Sequence, residues 1–308
     1  MNHPIDPKID CVFKALLGSE SNRALLIHFL NAILGPALPA PITEVEILNP
    51  YNDKKFLDDK LSIVDVKARD QRGCLHQIEI QLLAHRDLLA RILYTWADLY
   101  SGQLHSGEDY RTLKPTYAIW LLGEDLLRER SESIHEFRLR DRAGRLLLDH
   151  GGIWLLELNK FHTDAVHTEQ DRWLKFFKDG ERLDADALPS WMHTDEMRQA
   201  MSTLKAFSDQ DRAYHAYQAR QNYLREQRSI QRHLEELKTE AEQARVALEQ
   251  AQAEKEQAQA EKEKEKEQAQ AEKEQARARE EQERAAKEAA LAEIARLKAQ
   301  LHGQDHTK

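Results

Sequence analysis

A long stretch without glycine or proline divides this chain into two parts that can fold in different ways. From Tyr223 to Leu301 the sequence contains neither residue and consists mainly of Ala, Glu, Gln, Lys and Arg. Such a composition cannot bury a hydrophobic core, but it is typical of a long helix. All five tryptophans of the 308-residue chain precede Phe207. The N-terminal part must therefore supply the core of any globular domain.

A heptamer repeats within the charged stretch. The sequence EQAQAEK occurs at 249–255, 256–262 and 267–273, and EKEK at 263–266 interrupts its phase. Such an insertion in a heptad array is a stutter, which locally unwinds a supercoil. Near both ends, apolar residues follow alternating spacings of three and four. Residues 223–302 therefore form either an oligomerising coiled coil or a lone charged helix with i,i+4 ion pairs. We favour weak self-association at the ends, and hence a homo-oligomer.

Hydrophobic periodicity predicts an α/β domain over residues 1–190. Helical spacing indicates helices at 7–34, 85–105 and 164–207, whereas alternating or continuous apolar runs indicate strands. This order of elements predicts a mixed sheet flanked by helices. A helical connector at 191–222 leads into the charged helix, and we expect residues 303–308 to be disordered. The predicted strands lie at 42–48, 61–70, 74–83, 116–122, 134–141 and 152–161.

A three-residue loop, Gln71-Arg72-Gly73, joins two of the predicted strands. Such a loop suits a type I turn closed by a glycine in the left-handed conformation, and it pairs Asp70 with Cys74. In this register Asp65 lies directly opposite Glu79 on one face of the hairpin. The apolar residues of both strands share the other face. The face that carries the two carboxylates also carries Lys67, Gln77 and Gln81.

Two opposed carboxylates repel each other, at a cost of roughly a few tenths of a kcal/mol or more. A hard divalent cation between Asp65 and Glu79 would remove this cost, because Mg²⁺ is held by one or two carboxylates together with water and phosphate oxygens. Gln81 reaches the same face and can orient a water molecule, and the Ile80 carbonyl can be a further ligand. The alternative is an ordinary solvent-facing polar edge of a half-exposed hairpin.

The sequence IVDVKARDQRGCLHQIEIQ in this hairpin resembles the core of the PD-(D/E)XK nuclease superfamily, in which an Asp precedes a (D/E)xK motif on the next strand. More narrowly, the chain resembles the Rpn family of recombination-promoting nucleases and transposase-like proteins. The resemblance covers about residues 5–180. It is also carried, in order, by the segments PKIDCVFKALLG, EILNP, RILYTWADLYSGQLHSGEDYRTLKPTYAIWLL and LLELNKF.

This resemblance implies a restriction-endonuclease-like fold and a divalent-metal-dependent DNA endonuclease that hydrolyses phosphodiester bonds in recombination or mobile elements. It implies that Asp65 and Glu79 are metal ligands, and that Gln81 takes the place usually held by Lys. A lysine stabilises the charge of the transition state, whereas Gln can only position water. Lys67 is close enough in the predicted register to supply this charge. The implied cofactor is Mg²⁺, with Mn²⁺ as an alternative, and the implied partner is double-stranded DNA.

Residues outside the hairpin have competing interpretations. Asp10 and Lys14 lie one helical turn apart. The resemblance implies that their face borders the site, with Asp10 as a third acidic group, but they are equally compatible with a surface pair. Arg91 either contacts the DNA backbone or is a solvated charge. We interpret Glu157 and Lys160 of LLELNKF as structural.

Composition limits the remaining functions. Because the net charge is −9, binding to DNA has to rely on local basic patches, since individual Lys and Arg side chains neutralise phosphates. The two cysteines and the scattered histidines lack zinc-site spacing. No apolar run is long enough to span a membrane, so we expect a cytoplasmic protein with no membrane partner. Two other functions stay open: a DNA-binding module that has lost catalysis, and a coiled-coil scaffold that carries a relic nuclease fold.

Overall fold

The computed structural model describes residues 3–49, 65–184 and 187–304. The chain divides into two units, Met1–Ser229 and Ile230–Lys308, and the first contains the sheet. The described strands follow the order β1-β2-β3-β4-β6-β5. The pairs β3–β4 and β4–β6 are parallel and the other pairs are antiparallel. The strands are β1 (Val45–Leu48), β2 (Val66–Asp70), β3 (Leu75–Gln81), β4 (Thr116–Leu122), β5 (Ile134–Phe137) and β6 (Gly151–Glu157).

Helices cover both faces of this sheet. The described helices of the first unit are α1 (Asp10–Leu17), α2 (Arg23–Leu34), α3 (Leu88–Ser101), α4 (Glu169–Asp179) and α5 (Asp195–Asp209), together with the beginning of α6 (Asp211–Gln304). The main core joins α1, α2, α4 and α5 to one sheet face, whereas a second core joins α3 to the other. A mixed sheet flanked by helices is consistent with a restriction-endonuclease-like α/β fold, so the predicted fold class is confirmed.

The hairpin β2–β3 has the predicted register. Gly73 closes the turn with φ +81°, and the Asp70 backbone N–H donates to the Cys74 carbonyl at 3.0 Å. Lys67 then pairs with Gln77, as expected from the turn. The predicted strand 61–70 is observed from Val66 onward; residues 61–64 lie outside the described part of the chain.

The polar face of the hairpin is buried in the middle of β3. Gln77 is fully buried and Glu79 is only 3% exposed. Strand β3 lies between β2 and β4, and the second core beneath α3 includes Trp120, the β4 neighbour of Glu79. Glu79 and Gln77 therefore do not lie on a solvent-facing polar edge, because both faces of this interior strand are covered, as is usual for a strand in the parallel part of a sheet.

The charged stretch is helical throughout its described length, since α6 continues to Gln304. The expected disorder at 303–308 stays a prediction; the helix includes residues 303–304, and residues 305–308 lie outside the described residues. Within the second unit, Leu234, Leu248 and Ile294 are about half exposed. Ion pairs at i,i+3 and i,i+4 also occur along the helix, so both interpretations of this segment stay open. None of the described helices combines the length and apolarity needed to cross a bilayer.

Candidate active site

A polar pocket of about 270 Å³ lies where the hairpin meets α1. The structure brings five of the predicted site residues to it: Asp10, Asp65, Glu79, Ile80 and Gln81. Lys14 reaches the same place through an ion pair, with its Nζ 3.1 Å from Asp65 Oδ1. The helical face that carries Asp10 and Lys14 therefore borders the carboxylates of the hairpin.

Asp65 and Glu79 form the centre of this pocket. Asp65 directly precedes β2, and its Oδ2 accepts a hydrogen bond from the Ile80 backbone N–H at 3.0 Å. Gln77 Nε2 donates to Glu79 Oε1 at 3.1 Å. Burial raises the pKa of Glu79, and the negative charge of Asp65 raises it further. The two carboxylates therefore disfavour simultaneous ionisation when no cation lies between them.

Gln81 is held by two hydrogen bonds next to this pair. Its Nε2 donates to the Leu83 carbonyl at 2.8 Å, and its Oε1 accepts from an Arg91 guanidinium nitrogen at 3.3 Å. The Arg91 guanidinium also lies 5.6 Å from the centroid of the Trp120 ring. Helix α3 thus brings a positive charge to Gln81, for which the resemblance implies the position of the superfamily lysine.

Lys67 does not line this pocket. It lines a different cavity of about 830 Å³, closer to the turn of the hairpin, together with Arg69 and Lys114. The sequence suggested Lys67 as the missing charge because the predicted register of the hairpin brings it close to the site. In the structure it is Arg91 that contacts Gln81.

Sequence reasoning missed the contribution of α6. Arg220, Tyr223, Leu224 and Gln227 line the pocket from this helix, within the first unit. The Nε of Arg220 lies 3.1 Å from Asp10 Oδ2. No motif marks these residues, because they lie where the composition has already become polar. Only the packing of the helix reveals their position.

Glu157 and Lys160 belong to a separate buried network. Lys160 Nζ lies 2.7 Å from the Glu157 carboxylate, which also accepts a hydrogen bond from the Leu127 backbone N–H at 2.9 Å. His135 Nε2 lies 2.9 Å from the same carboxylate. Burial would raise the pKa of Glu157, but these partners hold it below its ordinary range. The carboxylate is occupied by protein groups, as expected for a structural role.

The metal ligands predicted from the sequence are all oxygen atoms, namely the carboxylates of Asp65 and Glu79 and the main-chain carbonyl of Ile80. The pocket is also lined by Asp10 and by His85, whose imidazole offers nitrogen atoms. Within the described ranges, no group of three or more His, Cys, Asp and Glu side chains is placed to hold a metal ion. A set of two carboxylates suits a hard cation that keeps several water molecules.

Comparison with known proteins identifies the family. No curated protein and no solved structure shows significant similarity to the chain. A family model described as PD-(D/E)XK nuclease family transposase matches residues 7–233, which include every residue that lines the pocket. The match supports nuclease chemistry and a role in mobile elements, with DNA as the substrate, and nucleases of this kind typically use divalent metals. The chain therefore belongs to the PD-(D/E)XK nuclease family of transposases.

Proposed function

We propose that this chain is a divalent-metal-dependent DNA endonuclease that hydrolyses phosphodiester bonds in recombination or in the movement of mobile elements. The observation that carries the proposal is the pair formed by buried Glu79 and Asp65 in a polar pocket. Leaving two such carboxylates without a cation is unfavourable, whereas a divalent ion compensates both charges. Because the proposed ligands are oxygens, we propose Mg²⁺ or Mn²⁺ as the ion.

In this proposal Asp65, Glu79 and the Ile80 carbonyl hold the ion. When bound, such an ion polarises the scissile phosphate and lowers the pKa of a water molecule. Gln81 orients the attacking water by hydrogen bonding. Arg91, which donates to Gln81, adds the positive charge that a lysine would provide in the wider superfamily.

Plasmid nicking tests this assignment. Purified protein is incubated with supercoiled plasmid and Mg²⁺ or Mn²⁺, beside the variants Asp65→Ala and Glu79→Ala. Glu46→Ala is the matched control, because Glu46 is an exposed carboxylate on the adjacent strand β1 and lies outside the pocket. We expect metal-dependent nicking by the parent chain and by Glu46→Ala, and a loss of roughly 100-fold or more in the two site variants. Full nicking by Asp65→Ala in a folded protein would refute the assignment.

A DNA-binding module without catalysis is the second candidate, and the amide of Gln81 is the observation that favours it. A neutral amide does not stabilise the charge of the transition state as a lysine does. This candidate predicts DNA binding that weakens as the salt concentration rises, with no nicked product under any divalent metal. The third candidate, a scaffold, predicts that deletion of the charged helix abolishes the biological effect while Asp65→Ala preserves it.

We further propose that residues 223–302 assemble the chain into homo-oligomers. Within the second unit, the seam residues Leu234, Leu237 and Leu248 leave about half of their surface exposed. Burying such side chains against a second copy contributes roughly 1 kcal/mol or more for each. The Ala-, Lys- and Glu-rich middle of the helix buries little, so the two ends carry the association.

A further inference from the structure

The first turns of α6 are fixed against the N-terminus of the chain. The Tyr217 side chain is buried, and its hydroxyl accepts a hydrogen bond from the Asp6 backbone N–H at 3.0 Å. The ring of Tyr214 stacks on His3 with centroids 4.3 Å apart. These contacts lie within the first unit and hold the following turn of α6 beside the pocket. That turn carries Arg220.

Arg220 is placed to receive a ligand. Its Nε lies 3.1 Å from Asp10 Oδ2, yet this buried nitrogen has no hydrogen-bond partner among the described residues. The contact is therefore ionic and does not use the directional capacity of the guanidinium. The guanidinium lies 4.8 Å from the Tyr223 ring centroid, which fixes its plane, and the side chain remains 40% exposed.

The chemistry of this arrangement favours a phosphate. A guanidinium offers a planar fork of N–H donors that matches the oxygens of a carboxylate or a phosphate. The Asp10 carboxylate already lies next to the Arg220 guanidinium. A phosphate can take its place there without a change in the sign of the charge. The other Lys and Arg side chains at the site are committed elsewhere. Lys8, which also lines the pocket, pairs with Asp6, whereas Lys14 contacts Asp65 and Arg91 contacts Gln81.

We propose that Arg220 forms a phosphate-binding subsite that takes a phosphodiester of the nucleic-acid backbone next to the scissile one. Asp10 holds the guanidinium in place until the phosphate displaces it, which gives Asp10 a role other than that of a third acidic group. This inference rests on the proposed nuclease function. It also makes the beginning of α6 a wall of the active site.

Binding in the absence of metal tests the subsite without chemistry. The affinity of the full-length protein for a short fluorescein-labelled DNA duplex is measured by anisotropy in EDTA over a range of salt concentrations. We expect Arg220→Ala to weaken binding about tenfold. The slope of log K against log salt should also become shallower by about 1, because one phosphate contact is lost.

Arg225→Ala is the matched control. Arg225 lies on the same helix, is exposed and does not line the pocket, so this variant removes the same charge without removing the subsite. We expect both its affinity and its salt slope to equal those of the parent chain. Arg220→Lys keeps the charge but not the fork, and should keep the slope while losing part of the affinity.

Asp10→Asn separates a ligand site from a structural ion pair. If the Asp10 carboxylate competes with a phosphate for Arg220, then Asp10→Asn should raise the affinity for DNA. This gain in affinity should disappear in the double variant Asp10→Asn/Arg220→Ala. A purely structural pair would instead lower the Tm in both single variants and leave the salt slope unchanged.

The outcomes distinguish this inference from the nuclease proposal. Equal salt slopes for Arg220→Ala and Arg225→Ala overturn the subsite, even if the chain nicks plasmid. A reduced slope in Arg220→Ala alone, in a chain that does not nick plasmid, supports the subsite and refutes the nuclease. The absence of salt-dependent binding by the parent chain overturns the subsite as well.

Discussion

Two turns of the same local structure lie in different surroundings and form a natural matched pair. In the turns that begin at Asp70 and Asp141, the carboxylate accepts hydrogen bonds at 2.9 Å from the backbone N–H groups two and four residues later. In both, the fourth residue is a glycine with φ +81°. The Asp70 side chain is fully buried, whereas that of Asp141 is 44% exposed. Replacing each aspartate by asparagine therefore measures the effect of burial on one kind of turn.

Asp70 also has partners that an amide cannot satisfy. Its Oδ2 lies 3.1 Å from an Arg72 guanidinium nitrogen and 3.2 Å from Nε2 of buried His76. Burial would raise the pKa of Asp70, but the hydrogen bond with His76, together with the Cys74 N–H and Arg72, holds it well below its usual range. Burial lowers the pKa of His76 itself, so the imidazole acts as a hydrogen-bond partner and Arg72 supplies the positive charge. Ionised Asp70 therefore contributes stability above its unfolded pKa of about 4, and this contribution is lost as the pH falls.

We expect Asp70→Asn to destabilise the first unit by about 3 kcal/mol. The amide can still accept from the turn, but its NH₂ group faces donors and leaves Arg72 and His76 without a negative partner. Removing one member of a buried charged pair costs roughly 3–5 kcal/mol, and the partly exposed Arg72 places this case at the lower end. For a domain of this size the Tm should fall by about 6–12 °C. Asp141→Asn should lower it far less, because water solvates the groups that lose their partner.

Thermal and urea unfolding of the three proteins, between pH 7 and pH 3, test this reasoning. The difference in unfolding free energy between the parent chain and Asp70→Asn should be largest at pH 7. It should become smaller below pH about 4, where the stabilising charge of Asp70 begins to be lost. Equal losses of Tm for Asp70→Asn and Asp141→Asn would refute the role of burial. A difference in unfolding free energy that does not change with pH would refute the role of the Asp70 charge.

Three further predictions follow from other parts of the molecule. Glu79→Gln should raise the Tm in EDTA and abolish stabilisation by Mg²⁺. Because the pKa of Glu79 is raised in the folded state, the parent chain loses stability as the pH rises above about 4. The difference in Tm between Glu79→Gln and the parent should therefore grow with pH, and a constant difference would contradict this. Gly151→Ala should lower the free energy of unfolding in urea by roughly 3 kcal/mol or more, because Gly151 has φ +90° and an added Cβ would lie 2.1 Å from the Thr116 carbonyl oxygen. Gly107→Ala, which has φ +89° but open space around the added Cβ, should lower it much less. Equal losses in the two variants would show that the clash with Thr116 does not matter. Deletion of residues 230–308 should reduce the mass measured by light scattering to that of a monomer, whereas an unchanged mass would exclude assembly through the helix.

The carboxylate pair could be predicted from the sequence because it depends only on local structure. The loop length and Gly73 determine the register of the hairpin, in which Val66 pairs with Ile78, and this register brings Asp65 next to Glu79. The burial of Glu79 could not be settled in this way. Alternation of polar and apolar residues is the same whether the polar face meets water or lies under α3.

Two cations of the site, Arg91 and Arg220, are positioned by tertiary packing and could not be assigned to the pocket from the sequence. Lys67 was the candidate because of its place in the hairpin register, but Arg91 contacts Gln81 because α3 packs across β3 and β4. Arg220 is farther away still in sequence. Its position depends on the contacts that Tyr214 and Tyr217 make with the N-terminus, and no sequence pattern encodes such long-range contacts.

The short turn between β2 and β3 also determines the order in which the site is assembled during folding. A β-hairpin closed by a three-residue loop forms in about 1–10 μs, so Asp65 and Glu79 become neighbours while both are still hydrated. The parallel pair β3–β4 requires the crossover through α3, and the walls from α1 and α6 join residues far apart in the chain, which is slower. We therefore expect the carboxylates to be the first part of the site to meet and the helices that bury them to be the last. The desolvation of Glu79 would then be imposed late, when α3 docks, and Glu79→Gln should speed refolding measured by stopped-flow fluorescence.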